Sequence, residues 1–474
     1  MIGCGLMKKD KLVFVLFGLI LGLSVAYAAE LINGKDVSFS NGATNLKANN
    51  VQDAINELYD KTINNSSCKN VSAPKLREGL IPVTIEVDGT VKYADTSKKW
   101  YNYCDKIWAN AVILEDNTSY KVGDTIQESD IQSYFVWIPK YKYKLWNVDT
   151  PSKGIHEIEI VFDENDTIDI EGVSCKTPMT SGESGNCNNG EYMTHPAFIS
   201  MGVNGFWVGK FETGYKGATS TTAAQVNAND TSKVVIKPNV YSWRGITVKN
   251  IFETSYNYQR NLDSHMMKNT EWGAISYLSH SLYGKGLEIN INNNSSYKTG
   301  YSALPTTNQQ TYPGTSGDGQ TYNSAYNTEI GYLASTSGNI SGVYDMSGGA
   351  WEYVSSYITG KLGSSGFSAT TLANYDSKYF DVYNASSAIS TYQYRILGDA
   401  TGEMGPFKSY LDGDNTSRWH SSWYSDRSDF VDSSYPWFVR GGRYTHGELS
   451  GTVYFDRYTG GTNSDGGFRI TLTP

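Results

Sequence analysis

Tyrosine outnumbers phenylalanine 36 to 16 in this 474-residue chain, and 47 glycines stand among them. That balance limits the possible folds more than any single motif. Tyrosine carries a hydroxyl that needs a partner and tolerates one wet face, while glycine lets backbone pass close to large rings. The combination predicts either a turn-rich fold with half-buried aromatic side chains or a surface that binds through rigid amphipathic rings. With 39% hydrophobic and 18% charged residues there is enough apolar material for a core, which excludes wholesale disorder. A formal charge of -9 removes the usual electrostatic basis for gripping phosphate backbones, so no nucleic-acid partner is expected.

At the amino end Lys8, Lys9 and Lys11 precede an apolar run, "LVFVLFGLILGLSVAYAA", from Leu12 to Ala29. The basic side is expected to stay in the cytoplasm and the remainder to be exported. Ala26 and Ala28 supply the small residues of a cleavage site, yet the run is also near the shortest that spans a bilayer. Residues 1–29 therefore read as a signal peptide or as a membrane anchor, and in the second case the protein meets the membrane through them. The expected location is extracellular or at the cell surface. Export puts Cys68, Cys104, Cys175 and Cys187 in an oxidising compartment, where four cysteines permit three pairings. A Cys175 to Cys187 disulfide would close the polar loop "SCKTPMTSGESGNC" and contribute on the order of 3 kcal/mol. No second Cys or His stands there at metal-ligand spacing.

Residues 30–70 read as a stalk with a short amphipathic helix. In "NNVQDAINELYDKT" the side chains of Val51, Ala54, Ile55 and Leu58 share one face, Asn50 is the expected N-cap, and Asp53 falls in the first turn. Residues 71–130 read as a small β-rich segment: Ile81, Val83, Ile85 and Val87 alternate with polar residues before an Asp88-Gly89 turn. In "YFVWIPKYKYKLWNV", Lys140, Lys142 and Lys144 are expected on a solvated strand face. "GFWVGKFETG" (205–214) reads as a strand. "HMMKNTEWGAISYLSHSLYG" (265–284) reads as a helix capped by Asn269 or Thr270, with Glu271 in the first turn and Trp272, Ile275 and Leu278 facing inward. Residues 285–335 and 360–435 are poor in aliphatic side chains and are expected to be surface insertions.

Six short motifs appear in order: "FVWIPKYKY", "FWVGKFETG", "NTEWGAISYLSH", "GVYDMSGGAWEYV", "WFVRGGRY" and "GGFRITL". Together they resemble the formylglycine-generating enzyme (sulfatase-modifying factor) family over residues 131–474. The resemblance implies an α+β, glycine-rich C-type lectin-like domain with little regular secondary structure, in which Tyr344 and Trp351 are core pillars. Active members carry a cysteine pair just after the Arg-Gly-Gly stretch, where it binds copper as thiolates. Here Arg440, Gly441 and Gly442 lead to His446 and Gly451 at those two places, and no cysteine follows Cys187. The resemblance thus implies a scaffold without the oxidase chemistry. It also implies a calcium ion as a possible cofactor at Glu352, although Gly349 stands where the family usually has an asparagine ligand. No other cofactor is expected, and the six histidines form no recognised catalytic pattern.

The carboxy-terminal stretch alternates frame residues with surface residues. Arg443, Tyr444, His446, Tyr454, Arg457 and Tyr458 are expected to line one exposed face that binds an extracellular carbohydrate or protein, because Tyr and Arg give large contact area with few rotors to freeze. C-type lectin-like proteins diversified by retroelements are similar in placing variable side chains there. The blander expectation is that this run is only the last strands of the fold. Two other functions stay open: an enzyme of the same family acting on an unknown substrate, and a structural surface component, for which no prepilin-type processing motif flanks the apolar run.

Overall fold

The computed structural model describes residues 50–55, 70–144, 157–164, 192–303, 324–383, 398–401 and 426–474. The chain divides into two compact units, Met1–Ser66 and Ser67–Pro474. In the first, residues 51–55 are helical, and the Asp53 N–H donates to Asn50 Oδ1 at 2.8 Å, the N-cap expected from the sequence. The amino-terminal apolar run and the Cys175 and Cys187 loop lie outside the described residues.

Among the described residues the second unit has five sheets, of which an eight-stranded and a five-stranded one form its frame. Strands β1 (Ile81–Ile85), β2 (Val91–Tyr93), β3 (Asn110–Leu114), β4 (Thr125–Ile126), β5 (Ile131–Pro139), β6 (Gly205–Gly209) and β7 (His265–Met266) belong to the first. The second contains β8 (Trp351–Ile358), β9 (Asp381–Tyr383), β10 (Trp437–Gly441), β11 (Gly451–Tyr458) and β12 (Gly466–Phe468), and β13 (Ile470–Leu472) returns to the first. The first sheet runs in the order β7, β13, β6, β5, β3, β1, β2, β4, antiparallel throughout. The second runs β9, β8, β10, β11, with β12 added in parallel to β8. A single residue, Arg469, separates β12 in one sheet from β13 in the other.

The central strands are buried along almost their whole length, as in β5 "IQSYFVWIP" and β6 "GFWVG". Trp137 and Trp207 sit opposite each other across this pair with ring centroids 5.3 Å apart. Their indole N–H groups donate to Ser72 O at 3.1 Å and Lys75 O at 2.7 Å, which satisfies the polar end of each buried ring. Helices α1 (Pro196–Met201), α2 (Val248–Tyr258) and α3 (Asn269–Ser279) pack in this unit, with a further short helix at Ala369–Leu372, and every residue of α3 is buried.

Among the described residues 19% are helical and 29% are in strands, a mixed composition compatible with α+β, so the expectation of little regular secondary structure understates the sheet there. The boundary expected at 130/131 falls inside one sheet, because β3 pairs with β5 from Asn110 to Leu114. The helix read over 265–284 is shorter, α3 spanning Asn269–Ser279: His265 and Met266 are in β7, and the N-cap is Lys268, just before the expected Asn269 or Thr270, its N–H donating to Glu271 Oε2 at 2.9 Å. Lys140 is buried, its ammonium 3.5 Å from Asp163, and only Lys142 and Lys144 keep partial exposure. The asparagine-rich stretch after 285 is not a surface insertion throughout. Asn290 and Asn292 are buried and donate to Ala303 O at 3.0 Å and Lys298 O at 2.9 Å, replacing aliphatic packing with backbone bonds.

Candidate functional site

The stretch "GVYDMSGGAWEYV" forms a buried frame. Tyr344 is 0% and Trp351 6% exposed. Glu352 and Arg469 pair side-on, Nε to Oε2 at 3.0 Å and Nη2 to Oε1 at 2.6 Å, while Arg469 also donates to Gly209 O at 2.7 Å and Tyr344 O at 2.9 Å. One guanidinium thereby ties β12 and β13 to β6 and to the motif. Asp345 accepts from Asn292 Nδ2 and Gly300 N, both at 2.8 Å. Glu212 Oε1 accepts from Ala350 N at 2.9 Å, and its other oxygen bonds Ser242 Oγ. Gly349, at φ 67°, leaves this carboxylate room: a Cβ there would stand 2.5 Å from Glu212 Oε1. Burial, reinforced by Asp345 and Glu352, holds Glu212 well above the usual carboxylate range. Burial likewise raises Asp345, and raises Glu352 to about 7.

A partly exposed surface hangs on this frame. Tyr444 is anchored by its N–H, which donates to Gly349 O at 3.0 Å. Its ring meets the buried Tyr297 edge-on, centroids 4.8 Å apart. Behind Tyr297 lies the Arg244 guanidinium, 3.8 Å from the ring centre, a cation over the negative face of the ring. Asp465 accepts from both Tyr297 and Arg443. Asn463 joins the second part of the surface to the first, because its Oδ1 accepts from Asp465 N at 2.7 Å while its Nδ2 donates to Tyr458 OH at 2.7 Å. Tyr458 rests on Trp351 at 5.2 Å.

Arg443, Tyr444 and Tyr458 are therefore gathered around residues 463–465. Tyr454 is corrected: it is 0% exposed, and its hydroxyl donates to Asp456 at 3.1 Å. Arg457 is next to Tyr458 in β11, so the two point to opposite faces. Its Nε lies 3.2 Å from Asp429, and Asp432 holds the same guanidinium, at the sheet edge. His446 stacks on Tyr454 at 5.7 Å. Burial, with Arg443 and Arg427 nearby, pushes its imidazole down to about 3, so the ring is neutral. Tyr297, Arg244 and Glu212 are additions that sequence reading missed. Tyr297 stands in "NNNSSYKTG", which has only a loop signature.

The calcium ion held possible at Glu352 meets a poor fit. Both Glu352 oxygens are committed to Arg469, and among the described residues no group of three or more His, Cys, Asp or Glu is placed to hold a metal ion. At Gly451 the space a side chain would occupy is filled by the Asp426 carboxylate. Cys104 is disulfide-bonded; the other four cysteines lie outside the described residues. Among the described residues no helix is long and apolar enough to cross a membrane. No protein-family model matches the chain, and no curated protein matches it.

Proposed function

We propose that this is an exported or membrane-tethered surface protein whose C-type lectin-like domain, of the formylglycine-generating enzyme type, binds an extracellular carbohydrate or protein and does not modify sulfatases. One observation carries the reading. Arg443, Tyr444 and Tyr458 are partly exposed side chains held by hydrogen bonds to Asp465, Gly349 and Asn463 and by ring contacts with the buried Tyr297 and Trp351, so their positions are set before any ligand arrives. Preorganised aromatic and guanidinium groups give contact area and hydrogen bonding at low entropic cost. The poor fit for copper thiolates at His446 and Gly451 supports the absence of the oxidase step. The lysine-flanked apolar run and the disulfide at Cys104 support an oxidising, extracytoplasmic setting. The test is to incubate the purified full chain with a cysteine-containing sulfatase peptide, copper and oxygen. The peptide mass is expected to stay unchanged, and aldehyde formation contradicts the reading.

A further inference from the structure

Resting on the ligand face just described, we propose that Glu212 is the positioning residue of that face and works as the protonated acid. Its two oxygens serve two routes to the paired rings. Oε1 accepts from Ala350 N at 2.9 Å, and the neighbouring Gly349 O accepts from Tyr444 N at 3.0 Å. The other oxygen bonds Ser242 Oγ, and Ser242 N donates to Tyr297 O at 2.9 Å. Toward an ionised Glu212 the Ser242 hydroxyl donates; in the protonated acid the proton sits on Oε2 and is donated to Ser242 Oγ while Oε1 still accepts from the amide, so the acid keeps both contacts.

Charge counting places the proton. Glu212 lies within electrostatic reach of Asp345, Glu352, Arg469 and Arg244. All five side chains belong to residues no more than 1% exposed, and three carboxylates against two guanidinium groups leave one negative charge without a partner. Buried unpaired charge is removed by protonation. Asp345 accepts from the N–H groups of Asn292, Gly300 and Glu212, which favour its anion. Glu352, raised by burial to about 7, has the side-on Arg469 pair, which pulls it back toward its anion. Arg244 is committed to Thr221 and Ser464. Glu212 is left with the proton, consistent with the strong upward pressure on it from burial and its acidic neighbours.

A carboxyl raised above its unfolded value contributes stability below that unfolded value and loses it as pH rises through the folded one. Urea unfolding of the full chain at intervals from pH 5 to 8 is expected to show wild type losing about tenfold in its folding constant per pH unit relative to Glu212→Gln, an isostere of the protonated acid. Amide exchange at Tyr444 N is expected to stay protected in Glu212→Gln and to speed up roughly tenfold or more in Glu212→Ala, which lacks both contacts. Parallel pH profiles for wild type and Glu212→Gln overturn the proton, and an equally protected Tyr444 in Glu212→Ala overturns the positioning role. Should Glu212→Ala not fold, a Glu212→Gln protein that leaves Tyr444 unprotected overturns it instead. No ligand enters these measurements, so their failure is distinct from failure of the binding reading.

Discussion

The carboxylate of Asp426 fills the space that a side chain at Gly451 would take, and its Oδ2 accepts from Val453 N at 3.2 Å. Glycine at 451 is thus part of the packing of a buried acid. Gly451→Ala is expected to destabilise the fold by about 1–3 kcal/mol in urea unfolding, as overpacking does. Adding Asp426→Gly is expected to return part of that loss. Costs that simply add in the double variant contradict the contact.

Glu352 and Arg469 lock the two sheets together from a fully buried position. Glu352→Ala is expected to cost about 3–5 kcal/mol, because it leaves the Arg469 charge buried and unpaired. Millimolar calcium or EDTA is expected to leave the wild-type unfolding midpoint where it was. A calcium-dependent shift, together with a mild Glu352→Ala, contradicts the role given to this pair.

Two buried histidines, His195 and His280, and the partly buried His446 set the acid limit. Burial pushes His195 down to about 3 and His280 to about 4, and His446 follows at about 3. Their folded values lie below the ordinary 6.5, so their contribution is present above pH 6.5 and is lost as pH falls toward 4. The loss is about 1.4 kcal/mol per pH unit for each histidine. His280→Gln, which preserves a polar contact to Thr452 Oγ1, is expected to lessen the slope between pH 6 and 4.5. An unchanged slope shows that His280 is not neutral in the fold.

The sequence made visible strands within 81–87, 134–148 and 205–214 and the Asn50 cap, although the run from Tyr134 is divided at Lys140 between two sheets; the buried places of Tyr344 and Trp351 were implied by the family resemblance. Alternation and turn signals depend only on local chemistry, and those strands and the cap obey it. Buried polarity was not legible. Lys140 reads as a solvated lysine until Asp163 is placed 3.5 Å from it, and Asn292 reads as loop until Asp345 accepts its amide. The same limit affected the site. Tyr454 and Tyr458 are alike by composition, and only strand pairing and neighbours bury the first and present the second. Arg457 and Tyr458, adjacent in a strand, could not share a face.

Residues after about 30 are expected outside the cytoplasmic membrane. Protease added to intact cells is expected to digest them, and complete protection, with access verified by a known surface protein, contradicts export.

The most direct test of the binding face compares the wild-type full chain with Arg443→Ala/Tyr444→Ala/Tyr458→Ala on a combined glycan and protein array, with Arg457→Ala as a control. Wild type is expected to capture at least one glycan or protein. The triple variant is expected to weaken that capture roughly a hundredfold or more, with its melting temperature shifted by only a few degrees, while Arg457→Ala captures normally. A folded triple variant that captures its ligand as well as wild type contradicts the account.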